Sequence, residues 1–216
     1  MAKKHDIIWL DTVDSTNNEV RRRISGLDNL SVLSVMSQTK GRGQRGNIWL
    51  SEPGENLLFS VILKYSERLG DTDLIPPVLA YDQFVISQLT SLAVVDLLAT
   101  HDIVARIKWP NDIYAGDEKI CGILIENSLK GSEIDWSIIG IGLNVNQTAF
   151  PEDLPNPTSM KLCTGNSNPY NTREILEEFM GIFTGYYREY LNGNGALDRL
   201  EEQFVSNLRT NLSSPR

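Results

Sequence analysis

The chain has 216 residues, with 20 Lys and Arg against 28 Asp and Glu and a formal net charge of −8. A sequence pI near 4.8 argues against a general nucleic-acid binder, which needs a basic surface. Hydrophobic content of 41% and a mean hydropathy of −0.22 describe an ordinary globular chain with enough material for one sizeable core.

The N-terminus, Met1-Ala2-Lys3-Lys4-His5-Asp6, lacks the apolar core of a secretion signal. The longest apolar stretch, around 89–99, is interrupted by Thr90, Ser91 and Asp96 and reads as far short of a membrane span. Two cysteines, Cys121 and Cys163, give no framework of bridges, so a reducing cytoplasm is the expected setting. Cys121 reads as a small buried side chain. His5 and His101 are too few and too isolated for a zinc site.

In chain order, 7–10 reads as a first strand. Thr16 and Glu19 then have capping-box spacing for a helix over 17–24 that stops near Gly26. Segments 31–36 and 56–64 read as strands, the second rich in apolar and β-branched residues. Pro76-Pro77 leads into a long helical stretch to about Thr100, with apolar residues at three- and four-residue intervals. A strand over 103–109 ends in the turn Pro110-Asn111-Asp112. Residues 113–114 and 119–126 form a hairpin about Gly116-Asp117, and 134–145 is the next strand. The stretch 151–169 holds four prolines and reads as a loop, before helices over 172–191 and 196–211. Hairpins outnumber strand–helix alternations. The expected fold is therefore α+β, a mixed, mostly antiparallel sheet with helices packed on one side.

Chemistry concentrates in three clusters. The first is Gly41-Arg42-Gly43-Gln44-Arg45-Gly46, followed by Trp49 and preceded by Lys40. Glycines at this spacing let backbone N–H groups approach a ligand, and three cations with no acid between them point to an anion such as phosphate or carboxylate. A solvated basic turn would look the same. The pattern satisfies G-x-G-x-x-G, but a dinucleotide fold needs a helix after it and a strand follows instead. Asn47 and Ile48 stand where a P-loop needs Lys and Ser or Thr, and the chain has no His-Arg-Asp or Asp-Phe-Gly for a kinase.

The second cluster is Lys108-Trp109-Pro110-Asn111-Asp112 with Lys119 and Gly122 beyond it. It offers two cations for phosphate and one carboxylate able to hold magnesium. The third is Gly140-Ile141-Gly142-Leu143-Asn144, where glycines would let a planar ring lie on the strand and Asn144 could hydrogen-bond a base edge.

With these clusters in order, the chain resembles the biotin protein ligases. The match rests on Asp14-Ser15-Thr16-Asn17, Gln38, the glycine loop with Trp49, the KWPND block, Lys119-Ile120-Cys121-Gly122-Ile123-Leu124-Ile125-Glu126, and Gly140 to Asn144. It covers 7–146 closely and the helical tail loosely. The resemblance implies a class II synthetase-like catalytic domain over 1–190, with 191–216 as a helical tail. It implies that biotin and ATP form biotinyl-adenylate, from which a lysine of a biotin carboxyl carrier protein domain takes the biotinyl group. Ser15, Thr16, Asn17, Gln38, Gly41, Gly43, Gln44 and Gly122 would contact biotin. Arg42 and Lys119 would hold its carboxylate, with Lys119, Arg42, Lys108 and Asp112 as the catalytic group. Arg45, Trp49, Asn111, Gly140, Gly142 and Asn144 would bind the nucleotide, and Asp112 would support Mg. A related reading is a lipoate ligase of the same fold, and a third is a non-catalytic binding or regulatory module.

Two departures from the family pattern stand out. Many members have arginine where this chain has Gln44, so retention of the adenylate would rest more on Arg42 and Arg45. Many also continue into a small C-terminal β-barrel that this chain, ending at Arg216, is not expected to have. With no N-terminal DNA-binding domain expected, neither nucleic acid nor membrane is an anticipated partner. A homodimer through an exposed strand edge is compatible with the sequence, which identifies no such edge.

Overall fold

A computed structural model of the chain describes residues 6–65, 68–69, 73–74, 78–193 and 195–209. His5 with the N-terminal segment, the Pro76-Pro77 pair and the last residues of the expected tail lie outside these.

Among the described residues seven strands form one mixed sheet. They are β1 (Ile7–Val13), β2 (Val32–Gln38), β3 (Leu57–Lys64), β6 (Ala105–Lys108), β7 (Asp112–Ala115), β8 (Glu118–Lys130) and β9 (Glu133–Leu143). A separate two-stranded ribbon pairs β4 (Arg68–Leu69) with β5 (Asp73–Leu74). The order across the sheet is β1-β2-β3-β9-β8-β7-β6. Only β1 and β2 run parallel, joined by helix α1 (Thr16–Arg23); the other neighbours are antiparallel. Four further helices complete the fold: α2 (Phe84–Thr100), α3 (Met160–Thr164), α4 (Thr172–Leu191) and α5 (Ala196–Ser206).

Strand alternation decides what each face does. Leu57, Phe59, Val61 and Leu63 of β3, Cys121 and Ile123 of β8, and Ile139, Ile141 and Leu143 of β9 share one core. That core is closed by Val85, Leu89 and Leu92 of α2, Phe179 and Phe183 of α4, and Leu200 and Phe204 of α5. The intervening positions Leu58, Ile62 and Ile138 face the other way and pack on Val20 of α1. The helices expected on one side are therefore α2, α4 and α5, while α1 covers the opposite face. The expected tail helix is part of the main core, with Phe204 edge-on to Phe84 at 5.4 Å.

The structure corrects several local expectations. Thr16 and Glu19 form no capping box. Ser15 is the N-cap without a side-chain cap, Thr16 is bonded to Gln38, and Glu19 pairs with Arg22 and Arg23. The proline-rich loop contains α3, capped by the Ser159 hydroxyl accepting from the Leu162 N–H at 3.3 Å. The last helix stops at Ser206, because Asn207 and Arg209 instead bond to both sides of Ile107 in β6 at 2.8 and 2.7 Å. The segment Ala80–Thr100, which contains α2, is by length and composition apolar enough to cross a membrane, contrary to the sequence reading. Two-thirds of that window is buried inside the fold, and it serves as the central core helix.

Candidate active site

On the α1 face three glycines add no side chain of their own to the sheet. Gly122 of β8 and Gly142 of β9 are direct cross-strand partners, and Gly140 lies opposite Leu124. Asn17 packs on Gly140 and Trp49 on Gly122 and Gly142, and between them the sheet becomes the floor of a cleft of ≈ 370 Å³. Its lining includes Ser15, Thr16 and Asn17 from α1 and its cap, Gln38 from the end of β2, and Arg42, Gly43, Gln44, Arg45 and Trp49 from the glycine loop. Asn111, Asp112 and Lys119 close the far side. Residues more than 120 positions apart thus meet across one hollow.

The indole of Trp49 lies on the glycine floor. A Cβ at Gly142 would sit 2.5 Å from the Trp49 ring, and one at Gly122 would sit 2.7 Å from it. The planar ring expected against this strand is therefore, first of all, the protein's own. The Lys119 ammonium lies 5.6 Å from the Trp49 ring centroid and 2.8 Å from an Asp112 carboxylate oxygen.

The glycine loop folds as a small hairpin. Gly43 N–H donates to the Asn47 carbonyl at 2.7 Å, Trp49 N–H to the Gly41 carbonyl at 3.1 Å, and Arg42 bridges to Ile48. The sequence reading had these glycines let backbone N–H groups approach a ligand. The geometry gives Gly41 a different reason, because a Cβ there would collide with the Trp49 carbonyl oxygen, and Gly46 holds a φ of 83°.

Asn17 is committed to the scaffold. Its amide donates to the Leu124 carbonyl at 3.2 Å and to Glu126 at 2.8 Å, and accepts from the Ser60 hydroxyl at 2.7 Å. Both donors are spent, so it holds the wall rather than offering N–H groups to biotin. Gln38 accepts from the Thr16 N–H at 2.8 Å. The buried Ser15 hydroxyl does not cap its helix, though Ser15 lines the cleft.

Four other expected site residues stand differently from the sequence reading. Lys108 does not line the cleft: its exposed ammonium sits 4.9 Å from the Tyr114 ring centroid and 3.3 Å from its hydroxyl. Asn111 uses its amide on the Ile123 carbonyl, which accepts from it, so it pins the KWPND turn to β8. Gly41 is not on the cleft lining and instead lines an adjoining hollow with Thr39, Lys40 and Gly46. Asn144 lines a neighbouring hollow of ≈ 290 Å³ with Trp49, Lys119, Phe150 and Leu154. There its amide N–H donates to the Thr158 carbonyl at 2.9 Å, while its buried carbonyl oxygen has no partner among the described residues. Trp49 and Lys119 separate the two hollows and line both.

The sequence reading assigned no role to Glu126, which ties the site together. Its carboxylate takes both terminal nitrogens of Arg42 at 3.0 and 3.2 Å, Arg21 at 3.0 Å and the Asn17 amide at 2.8 Å. Burial alone would raise its carboxyl pKa, but hydrogen bonds from Asn17, Arg21 and Arg42 outweigh it and hold the group below the usual glutamate range. One signal was legible: an acid at even spacing from Gly122, directly after the apolar run 123–125, must share the glycine face. Ser60 and Asn18, which accepts from Arg42 at 3.0 Å, carried no such signal. Burial pushes the Cys121 thiol well above its usual range, in keeping with an inert core cysteine.

Among the described residues no three His, Cys, Asp or Glu side chains gather as a metal cluster. Asp112 is the single carboxylate on the cleft lining. Such a sparse donor set fits magnesium, which typically leans on one or two carboxylates and the phosphates of its substrate.

A model of the biotin/lipoate A/B protein ligase family matches residues 9–144. The chain belongs to that family. Among its members, the "Bifunctional ligase/repressor BirA" of Bacillus spizizenii is 29% identical over 95% of this chain and 61% of its own length. The "Biotin--protein ligase 1, chloroplastic" of Arabidopsis thaliana is 30% identical over 94% of this chain and 58% of its own. The chain thus spans about three-fifths of these curated family members. The biotin protein ligase of Aquifex aeolicus, solved in complex with biotin and ATP, superposes with a TM-score of 0.76 at 26% identity, over 94% of this chain and 78% of that one.

Proposed function

We propose that the chain is the catalytic unit of an ATP-dependent biotin–protein ligase. The observation that carries this reading is the convergence of Arg42, Lys119, the glycine loop and the polar end of α1 on one glycine-floored cleft. Joining a carboxylate to a polyphosphate brings two anions together, so the site must present fixed positive charge and N–H donors. Arg42 and Lys119 supply the charge, and the loop backbone and α1 terminus supply donors.

In the first step an oxygen of the biotin carboxylate bonds to the α-phosphorus of ATP. The bond to the β-phosphate bridging oxygen breaks, and pyrophosphate leaves. Lys119, free to exchange Asp112 for a phosphate oxygen, stabilises the charge that builds at that phosphorus. In the second step the amine of a carrier-domain lysine bonds to the acyl carbon, loses a proton and expels AMP. Arg42 holds the acid, Gln38 and Ser15 meet the polar ring, and Trp49 and the orphaned carbonyl oxygen of Asn144 meet the adenine. Magnesium, when bound, would screen the phosphates and be held by Asp112. A mixed anhydride hydrolyses easily, so a loop lying over the cleft also serves to exclude water.

Biotin is favoured over lipoate because the Arabidopsis relative and the Aquifex structure carry biotin ligase names. The test is mass spectrometry of a carrier domain incubated with the protein, biotin, ATP and magnesium, beside the same mixture with lipoate. A biotinyl mass increment on one carrier lysine is expected. Modification by lipoate alone, or no pyrophosphate released with biotin and ATP, would overturn the reading.

A further inference from the structure

An arginine has five N–H donors, and the contacts of Arg42 account for three of them. Nη1 donates to Asn18 at 3.0 Å and to Glu126 at 3.2 Å, and Nη2 donates to the second Glu126 oxygen at 3.0 Å. Glu126 therefore grips the end of the guanidinium, and Asn18 takes the remaining Nη1 hydrogen. What remains is the side edge, formed by Nε–H and the other Nη2–H, for which the described residues provide no hydrogen-bond partner. Two parallel donors on one edge are the fork that binds a carboxylate or phosphate bidentately.

We infer that Glu126 is a positioning residue, which fixes the Arg42 guanidinium end-on so that its side fork is presented to the carboxylate of the acid substrate. Three features of the geometry support this beyond the ion pair itself. Glu126 also accepts from the Asn17 amide, whose own oxygen is fixed by Ser60, so the carboxylate cannot swing without breaking a buried network. Arg21, on α1, meets the other Glu126 oxygen, the one bound by Arg42 Nη2, at 3.0 Å and holds it from the helix side. The strand register places Glu126 two residues beyond Leu124 and four beyond Gly122, on the cleft face of β8. One carboxylate shared between Arg21 and Arg42 leaves the group with a net positive charge and the bidentate edge of Arg42 free, so direction is gained without blocking the donor pair.

The inference rests on the ligase reading, and the experiment separates the two. Pyrophosphate release is measured for the wild type, Glu126→Gln, Glu126→Asp, Arg42→Ala and Arg42→Ala with Glu126→Gln, varying biotin and ATP independently. If the wild type releases none, the ligase reading fails whatever Glu126 does. If it is active, Glu126→Gln should raise the KM for biotin about tenfold while the KM for ATP moves less than twofold, the mark of lost substrate binding at one end of the site. Glu126→Asp, which keeps the charge one methylene short, should fall between and covers the case in which the glutamine variant does not fold. In the Arg42→Ala background Glu126→Gln should change the KM for biotin less than twofold, since the route through Arg42 is already gone. Equal rises in both KM values, an Asp variant indistinguishable from wild type, or additive effects of the two substitutions would each overturn the proposal.

Discussion

The indole of Trp49 and the backbone of Gly142 are in van der Waals contact so close that a single methyl group on the strand would meet the ring at 2.5 Å. The loop and the sheet are 93 residues apart in the chain, yet neither can change alone. The relationship explains why the sheet floor must be glycine there.

Gly142→Ala should therefore push the Trp49 ring off the floor. Overpacking of this kind costs about 1–3 kcal/mol of stability, and separately the displaced ring should weaken ATP binding by roughly tenfold, about 1.4 kcal/mol. Titration of ATP with tryptophan fluorescence, against Trp49→Phe as reference, checks it. Gly181→Ala in α4, where a Cβ meets open space, should by contrast be neutral or stabilise by about 0.5–1 kcal/mol. Unchanged ATP binding by Gly142→Ala would show that the ring's seat on the sheet is irrelevant to the nucleotide.

The two lysines of the KWPND region part company in space, and their variants should do likewise. Lys119→Ala removes the cation shared by both hollows and should slow pyrophosphate release about 10²–10³-fold, the usual cost of one preorganised charge. Lys108→Ala removes a cation stacked on Tyr114 outside the cleft, and its loss should be at least tenfold smaller. Single-turnover rates at saturating biotin and ATP compare them. A Lys119 variant retaining more than a tenth of the wild-type rate has no place in the transition state.

Stability should depend on pH through Glu126. Its carboxyl pKa lies below the ordinary glutamate value of 4.5. A lowered carboxylate favours the folded state wherever it is ionised in both states, which is above that ordinary value. That contribution fades as pH falls through the lower, folded value. The melting temperature of wild type should thus exceed that of Glu126→Gln at pH 7, with the gap closing as pH falls below the ordinary glutamate value of 4.5. A gap that widens on acidification would mean the network stabilises the protonated form.

The strap formed by residues 207–209 should also be measurable. Arg209 N–H donates to the Ile107 carbonyl at 2.7 Å, and its guanidinium sits 4.9 Å from the Tyr114 ring centroid on the hairpin that ends in Asp112. Arg209→Ala loses the ring contact and the Asp117 ion pair but keeps the backbone bond. Arg209→Pro loses the backbone bond as well, an extra cost of about 1 kcal/mol, or roughly 2–4 °C in melting temperature for a chain of this size. Calorimetry of the two variants side by side gives the difference, and equal midpoints would show that the strap adds nothing.

Much of this architecture was legible in the chain. The β3 run Leu57–Lys64 and the helix Thr172–Leu191 carry their periods openly, because each is long and buries a continuous apolar pattern. Helix α3 was hidden, since its five residues sit among prolines and depend on one serine cap. The expected capping box failed because Gln38, on the next strand, claimed the Thr16 N–H and hydroxyl, a competition that no local pattern reveals. Among site residues, the glycine loop, Lys119 and Asp112 declared themselves through charge and spacing, whereas Glu126 and Ser60 looked like ordinary strand positions.

Sequence alone determined most of the strand and helix inventory, helix α3 excepted, and marked the cationic glycine loop, because periodicity, glycine and charge are local properties of a chain. Only the tertiary structure decided which cations share a cleft, that Lys108 leaves it, and that Glu126 aims Arg42. Those outcomes follow from strand register, where side chains alternate between faces and partners are set by pairing across the sheet. A hydrogen bond between residues 42 and 126 has no trace in either segment until the fold brings them to 3.0 Å.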